Sequence, residues 1–328
     1  MNKSFVLGVD IGATWVRVAI ADYSGNITTK DKEPIDTSSN WGVSNQIEKT
    51  TRKLCQRLDY DPKNLSGIGI ASAGPMNRKE GKLVSPSNIP LEEVPLADPL
   101  EKSFDTKVEL INDGVSAVLA ESEYGAGVDY DNLVYITIST GIGGGVIMDD
   151  HLLIGKNGNA AEVGHFTIDE EGKLKCGCGR RGHWEAYCSG SNIPRFVRKK
   201  LEDVDLKGQN SPLVENKRKD FQDFRPRDLF EYAKQGDELA LDLVEEIGRL
   251  NAVGFATVTE AYDPELITVG GGVALNNPEL ILEPIKEKIS NYTQNEVPRI
   301  KITPLKEENV LYGAIARALT LFKNQDQR

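Results

Sequence analysis

Three times in this chain an apolar run closes on a glycine-rich turn, and no other feature restricts the fold as much. Phe5 to Asp10 ends in the tip Asp10-Ile-Gly12-Ala-Thr14, and Val16 to Ala21 returns from it. Leu133 to Ser139 repeats the plan. It meets Thr140-Gly-Ile-Gly-Gly-Gly145, and Val146 to Met148 begins the return. Leu266 to Val269 runs into Gly270-Gly271-Gly272. The first two units share strand, small polar glycine turn and strand, the pattern of an internal duplication. Between them, Ile47 to Leu58 and Val115 to Glu123 read as helices. Gly67 to Ala71 reads as a buried strand ending in Ser72-Ala-Gly74-Pro75, and Val108 to Ile111 as a strand ending in Asn112-Asp113. Alternating strands and helices predict an α/β fold with covered sheets. Leu243, Ile247, Leu250 and Gly254 recur at helical spacing, as do Ala314, Ile315, Ala318, Leu319 and Phe322 in a last helix. The polar segment from Asp205 to Arg227 is expected to be a surface connection or insertion.

The 328 residues are enough for two domains with real cores. A net charge of −11 opposes a nucleic-acid surface, which needs Lys and Arg in excess. No apolar run reaches the length of a membrane span. The N-terminal stretch meets Asp10 too early for a secretory signal, so the expected location is the cytoplasm. Cys55, Cys176, Cys178 and Cys188 are too few and too clustered for a disulfide framework. In a reducing compartment such a cluster reads as metal-binding.

Glycine lets backbone N–H groups approach an anion closely, and successive N–H groups form an anion nest. Thr14 and Thr140 add hydroxyl donors, and Asp10 suits Mg²⁺ held through water. Each turn alone is equally a turn former; three at strand ends, the first with acid and threonine, favour phosphate. The P-loop and dinucleotide fingerprints are both missing from the sequence. Asp113 ends an apolar strand, at the sheet edge where open α/β folds place ligands. There it can accept a hydroxyl proton during attack on phosphorus, with Asn112 fixing a neighbouring hydroxyl. The other reading is a helix cap. Cys176, Cys178 and His183, with His165 as a fourth, suit Zn²⁺, and Cys188 competes for a place. Four filled positions make such a zinc structural. Glu162 and Glu185 flank this knot and suit a polyol, although each alone also reads as a solvated acid or cap. His151 reads as a surface residue and Cys55 as a core thiol. Trp15 and Trp184 lie near the expected site and also read as packing residues.

Together these motifs resemble the ROK family of repressors, open reading frames and sugar kinases. The matching segments are Asp10-x-Gly12-x-Thr14, Ser72-Ala-Gly74-Pro75, Asn112-Asp113, Thr140-Gly-Ile-Gly-Gly-Gly145, Glu162-x-Gly-His165, Cys176 to Glu185, and Gly270-Gly-Gly272. The resemblance implies an actin-like, hexokinase-like (ribonuclease H-like) α/β fold of two domains with an interdomain cleft. The expected domains are a smaller one, 1–113 plus 312–328, and a larger one, 114–311, carrying the zinc motif and a dimer surface. It implies Asp113 as general base, with Asn88, Asn112, Glu162, His165 and Glu185 on sugar hydroxyls. Asp10, Gly12, Thr14, Thr140, Gly141, Gly271 and Gly272 would line the site of ATP and Mg²⁺. His165, Cys176, Cys178 and His183 would hold structural Zn²⁺, His165 using its other ring nitrogen for sugar. His183 stands where the family usually has a third cysteine, and Ser72-Ala-Gly74-Pro75 departs from the commoner Gly-Pro-Gly form. The stretch Gly182 to Gly190 is similar to archaeal hexose kinases of the family, which implies a glucokinase. The alternatives are an N-acetylglucosamine or N-acetylmannosamine kinase, other phosphate donors such as polyphosphate or ADP, and a non-catalytic sugar-responsive regulator. Regulators usually carry a helix-turn-helix ahead of the first hairpin, for which a hairpin starting at Phe5 leaves no room. A homodimer is expected from the family, with sugar and ATP as partners and neither nucleic acid nor membrane.

Overall fold

The computed structural model describes residues 5–86, 88–202, 204–207 and 209–326. The chain forms two compact units, one of 1–129, 145–160 and 307–328, the other of 130–144 and 161–306.

The first unit opens with the hairpin β1 (Val6–Ile11) and β2 (Trp15–Ala21), followed by β3 (Ile27–Pro34) and the helix α1 (Gly42–Arg57). Then come β4 (Ile68–Ser72) and the small sheet β5 (Met76–Asn77), β6 (Lys82–Val84) and β7 (Glu93–Pro95). Helix α2 (Ala97–Phe104), β8 (Val108–Asn112) and α3 (Asp113–Tyr124) complete the run. The main sheet has the order β3-β2-β1-β4-β8, antiparallel on the β2 side of β1 and parallel across β1, β4 and β8. Alternation along each strand separates two cores. Leu7, Val9, Ile11, Val18, Ile68 and Ile70 face α1 and α2, packing on Ile47, Leu54, Leu100 and Phe104. Each such fully buried side chain contributes about 1.5–3 kcal/mol. On the other face, Val6, Ala19 and Ala21 meet the last helix of the chain through Leu311, Ile315 and Ala318. That helix comes so near that a Cβ on Gly69 would strike the Ala314 carbonyl. Gly8, which pairs with Gly69 in register, would strike the Ile315 side chain.

β9 (Leu133–Ile138) of the second unit leads to β10 (Ile142–Met148), which runs on into the first unit's 145–160 segment and pairs there with β11 (His151–Leu152). Helices α4 (Glu185–Cys188), α5 (Ile193–Leu201), α6 (Pro212–Arg218), α7 (Pro226–Lys234) and α8 (Glu238–Tyr262) follow. The unit ends with β12 (Leu266–Gly270), α9 (Gly272–Asn276), α10 (Pro278–Lys288) and β13 (Arg299–Ile302), and α11 (Asn309–Asp326) returns to the first unit. The sheet order, β11-β10-β9-β12-β13, repeats the plan of the first sheet: an antiparallel edge strand, a hairpin, then two parallel neighbours. The duplication read from the glycine turns thus has a counterpart in topology. β12 is buried along its whole length, as a parallel strand covered on both faces should be.

Three expectations change. The glycine run 143–145 lies inside β10, not in the turn, which is the tighter Ser139-Thr140-Gly141. Close approach explains it: a Cβ on Gly145 would collide with the Gly114 carbonyl of α3. The segment 205–227 is not a bare surface connection. It carries α6 and buries Leu206, Leu213, Phe221 and Phe224; Gly208 lies outside the described residues. Residues 114–129, 145–160 and 307–311 belong with the first unit, where a larger domain starting at 114 was expected. Helix α3 is held there by the Ser116 hydroxyl, which donates to the Val310 carbonyl at 2.8 Å, and by Val115 packing with Ala71, Ile111 and Ala314.

Candidate active site

Register in the first unit aligns the ends of three parallel strands, with Ile11 beside Ser72 and Ser72 beside Asn112. The loops that follow therefore leave one edge together: Gly12-Ala-Thr14, Ala73-Gly-Pro75 and the start of α3. A small pocket at this edge is lined by Gly12, Ala13, Ser72, Gly74 and Asn88, among others. Asp10 is buried at the end of β1, and its Oδ2 lies 2.6 Å from Nη1 of Arg17, its cross-strand partner. Burial raises the Asp10 pKa; Arg17 opposes this, and the nearby charge of Asp113 adds to it. The carboxylate expected to hold Mg²⁺ through water thus already carries one cation.

Asn112, not Asp113, caps α3: its Oδ1 accepts from the Gly114 amide at 2.8 Å. Asp113 is the first helical residue, half-buried, with its Oδ1 on the same amide at 2.8 Å. Desolvation raises its pKa against the pull of these backbone donors. A carboxylate that holds a proton more firmly is better matched to general-base work near neutral pH.

In the second unit, β9 and β12 run parallel with Gly270 beside Thr137, so their turns share an edge. Gly271 has φ +86°, and a Cβ there would lie 2.5 Å from the Ile138 carbonyl oxygen and 2.6 Å from Thr137 Oγ1. Only glycine fits. Thr140 and Gly272 are exposed and Gly141 is half-buried. Beside this edge lies a pocket of about 560 Å³, lined by Arg225, Arg227, Phe230, Lys234, Gly272 and Asn276 among others. Its α7 side escaped the sequence reading. The signal was present: Pro226 at the first helical position, and Asp228 two residues on accepting from the Arg225 amide at 2.7 Å, mark a helix start.

His165, Cys176, Cys178 and His183 place one ligand atom each within 4.8 Å of one another. Cys178 Sγ is 3.3 Å from His183 Nδ1, and the two imidazole rings stand 5.2 Å apart. Two thiols and two imidazoles match the soft tetrahedral preference of zinc, so these residues fit the ion. Burial and His165 lower the pKa of His183, which favours the neutral, ligating form. Cys188 is not part of this cluster. It is fully buried against α8, its Sγ 3.7 Å from the Ile247 carbonyl. Glu162 is exposed, with Oε2 3.6 Å from His165 Nδ1. Glu185 is anchored: Oε2 accepts from the Ile142 amide at 2.9 Å and Oε1 lies 3.4 Å from Cys176 Sγ. Its carboxylate links the cluster to the Thr140-Gly141 turn, a contact that sequence alone did not reveal. His151 is exposed, and Cys55 sits in the core with its thiol pKa pushed up to about 11 by burial. Trp15 is exposed and Trp184 fully buried.

Known proteins share this architecture. A glucokinase of Pyrobaculum calidifontis is 35% identical over 312 residues, covering 95% of this chain and 94% of the relative. The crystal structure of a ROK hexokinase from Thermus thermophilus superposes with a TM-score of 0.82 at 29% identity, covering 99% of this chain and 100% of that one. A ROK glucokinase from Streptomyces griseus, solved with glucose and AMPPNP, gives a TM-score of 0.74 at 28% identity, covering 97% and 100%. The fold is the actin-like, hexokinase-like α/β fold implied by the motifs. The ROK family model matches residues 6–322, and the chain belongs to the ROK family.

Proposed function

We propose that this chain is an ATP-dependent glucokinase that phosphorylates the 6-hydroxyl of glucose. The glucokinase relative, alike over nearly its whole length, and the solved relative holding glucose and AMPPNP support this reading. The observation that carries it in this chain is the placement of Asp113, at the start of α3 directly after the C-terminal end of β8 in the parallel set β1, β4 and β8, where burial raises its pKa.

In this mechanism Asp113 takes the proton of the 6-hydroxyl while that oxygen attacks the γ-phosphorus and ADP leaves. Asn112 uses its carbonyl oxygen to cap α3 and so fixes the backbone that carries the base. Asn88, Asn112, Glu162, His165 and Glu185 bind the sugar hydroxyls. Glu185, tied to the Ile142 amide, brings its end of the sugar site into register with the Thr140-Gly141 turn. Backbone amides at Gly12, Gly141, Gly271 and Gly272, with the Thr14 and Thr140 hydroxyls, receive the phosphates, and the pocket under α7 receives the nucleoside. Mg²⁺ would neutralise phosphate charge, and Asp10 would be its carboxylate, with Arg17 opposing the rise in pKa that burial causes. His165, Cys176, Cys178 and His183 would hold Zn²⁺, which would keep the loop in shape as a structural ion. The few clustered thiols support a reducing, cytoplasmic compartment, and the family resemblance supports a homodimer.

A coupled ADP assay over glucose, mannose, fructose, N-acetylglucosamine and N-acetylmannosamine tests this. Glucose should give the highest kcat/KM, by about tenfold or more. An N-acetylhexosamine turned over better than glucose would replace the proposal. Asp113→Ala should lower kcat by about 10²–10⁴-fold while glucose still binds; near-normal turnover would remove Asp113 from its role.

A further inference from the structure

Trp184 separates His183 of the cluster from Glu185, and the structure holds it unusually firmly. It is completely buried, and its indole Nε1 donates to Asn251 Oδ1 of α8 at 2.8 Å. One turn further along α8, Gly254 leaves the space the indole fills: a Cβ there would run into ring atoms Cδ2 and Cε2. Phe255 meets the indole edge-on at 5.5 Å. Asn251, Gly254 and Phe255 stand at i, i+3 and i+4, so one stripe of α8 forms the slot. The Trp184 amide donates to the Phe166 carbonyl at 2.9 Å, next to His165. Asn251 is fully buried, yet its Nδ2 has no hydrogen-bond partner among the described residues. An apolar residue of similar size would avoid that cost. What the asparagine supplies is the acceptor for the indole.

We propose that Asn251, with the Gly254 gap, is a positioning device. By fixing the Trp184 indole it sets the backbone on both sides, and so both the metal affinity of the Cys/His cluster and the placement of Glu185 at the Ile142 amide. The proposal rests on reading the cluster as a zinc site and the chain as a glucokinase. The hydrogen bond, rather than bulk packing, is the operative part. Its loss loosens His183 toward the metal and Glu185 toward the sugar together, while Asp113, on a different unit, is untouched.

The test compares the parent with Asn251→Leu, Trp184→Phe, the double variant and a packing control, Phe255→Leu. Each is loaded with zinc and followed by zinc release to a chromophoric chelator, thermal melting and steady-state kinetics. Asn251→Leu should release zinc about tenfold faster and raise KM for glucose several-fold, with kcat changed less than twofold. Trp184→Phe should do the same, and the double variant should be no worse than either, since both remove one hydrogen bond. Phe255→Leu should lower Tm without changing zinc release. Additive effects in the double variant, or zinc loss that merely follows Tm across the set, would overturn the proposal. A parent that holds zinc beside an Asn251→Leu variant that holds it equally well overturns the proposal alone. A parent that takes up no zinc overturns the reading of the cluster, and the proposal with it.

Discussion

Asp113 shows how much one step along the chain decides. The sequence reads this residue as a catalytic base, with a helix cap as the other reading. The structure gives the capping place to Asn112, and Asp113 begins the helix itself. Desolvation raises its pKa above the ordinary 3.8. The sign of the stability effect follows. Below pH 3.8 the group is protonated whether the chain is folded or not, so it costs nothing. As pH rises through the window from 3.8 to the raised folded value, the unfolded chain releases its proton first and stability falls. Asp113→Asn should therefore raise Tm at neutral pH while abolishing turnover. The gain should vanish as pH falls through that window, as melting curves across pH would record. A lower Tm at neutral pH would contradict the desolvation argument. Cys188 carries the same lesson about neighbours. Its thiol has the right chemistry for zinc, but burial against α8 at Ile247 gives it to the core.

At the scale of elements, turns and strand ends were readable because they answer to local backbone rules. The hairpin β1–β2, strands β4, β8 and β12, and helix α3 fall within a few residues of their sequence patterns, while α1, α8 and α11 each begin five residues ahead of theirs. The glycine run 143–145 did not, because glycine serves turns and close packing alike. Gly145 belongs to strand β10, and the approach of Gly114 in α3 is what requires a glycine there. Gly271 is the turn glycine in the strict sense, by its φ of +86° and the crowding from Thr137 and Ile138. Gly271→Ala should cost about 1–3 kcal/mol of stability and raise KM for ATP, with KM for glucose little changed. Kinetics with each substrate varied in turn would check this; an unchanged KM for ATP would take this turn out of the donor site.

At the scale of the whole molecule, the cluster of His165, Cys176, Cys178 and His183 should make folding depend on metal. An ion that binds only the folded form stabilises it by about 4 kcal/mol at a thousandfold excess over Kd. Stripping metal with a strong chelator should lower Tm and weaken glucose binding, and added Zn²⁺ should restore both. A chelated protein with unchanged Tm and no bound metal before treatment would remove the ion from this site. What the sequence determined by itself was everything set by residue type and short spacing: the apolar runs, the glycine turns, the donor set of the knot, the acid at a strand end, and from these the family. Tertiary structure alone decided that Cys188 stays out of the cluster, that Glu185 fastens to the Ile142 amide, that α7 walls a pocket and that Trp184 lodges against Asn251. These contacts join residues 43 to 67 positions apart in the hydrogen-bonded cases. Local periodicity says nothing across such distances, where only the packing of whole elements fixes which groups meet.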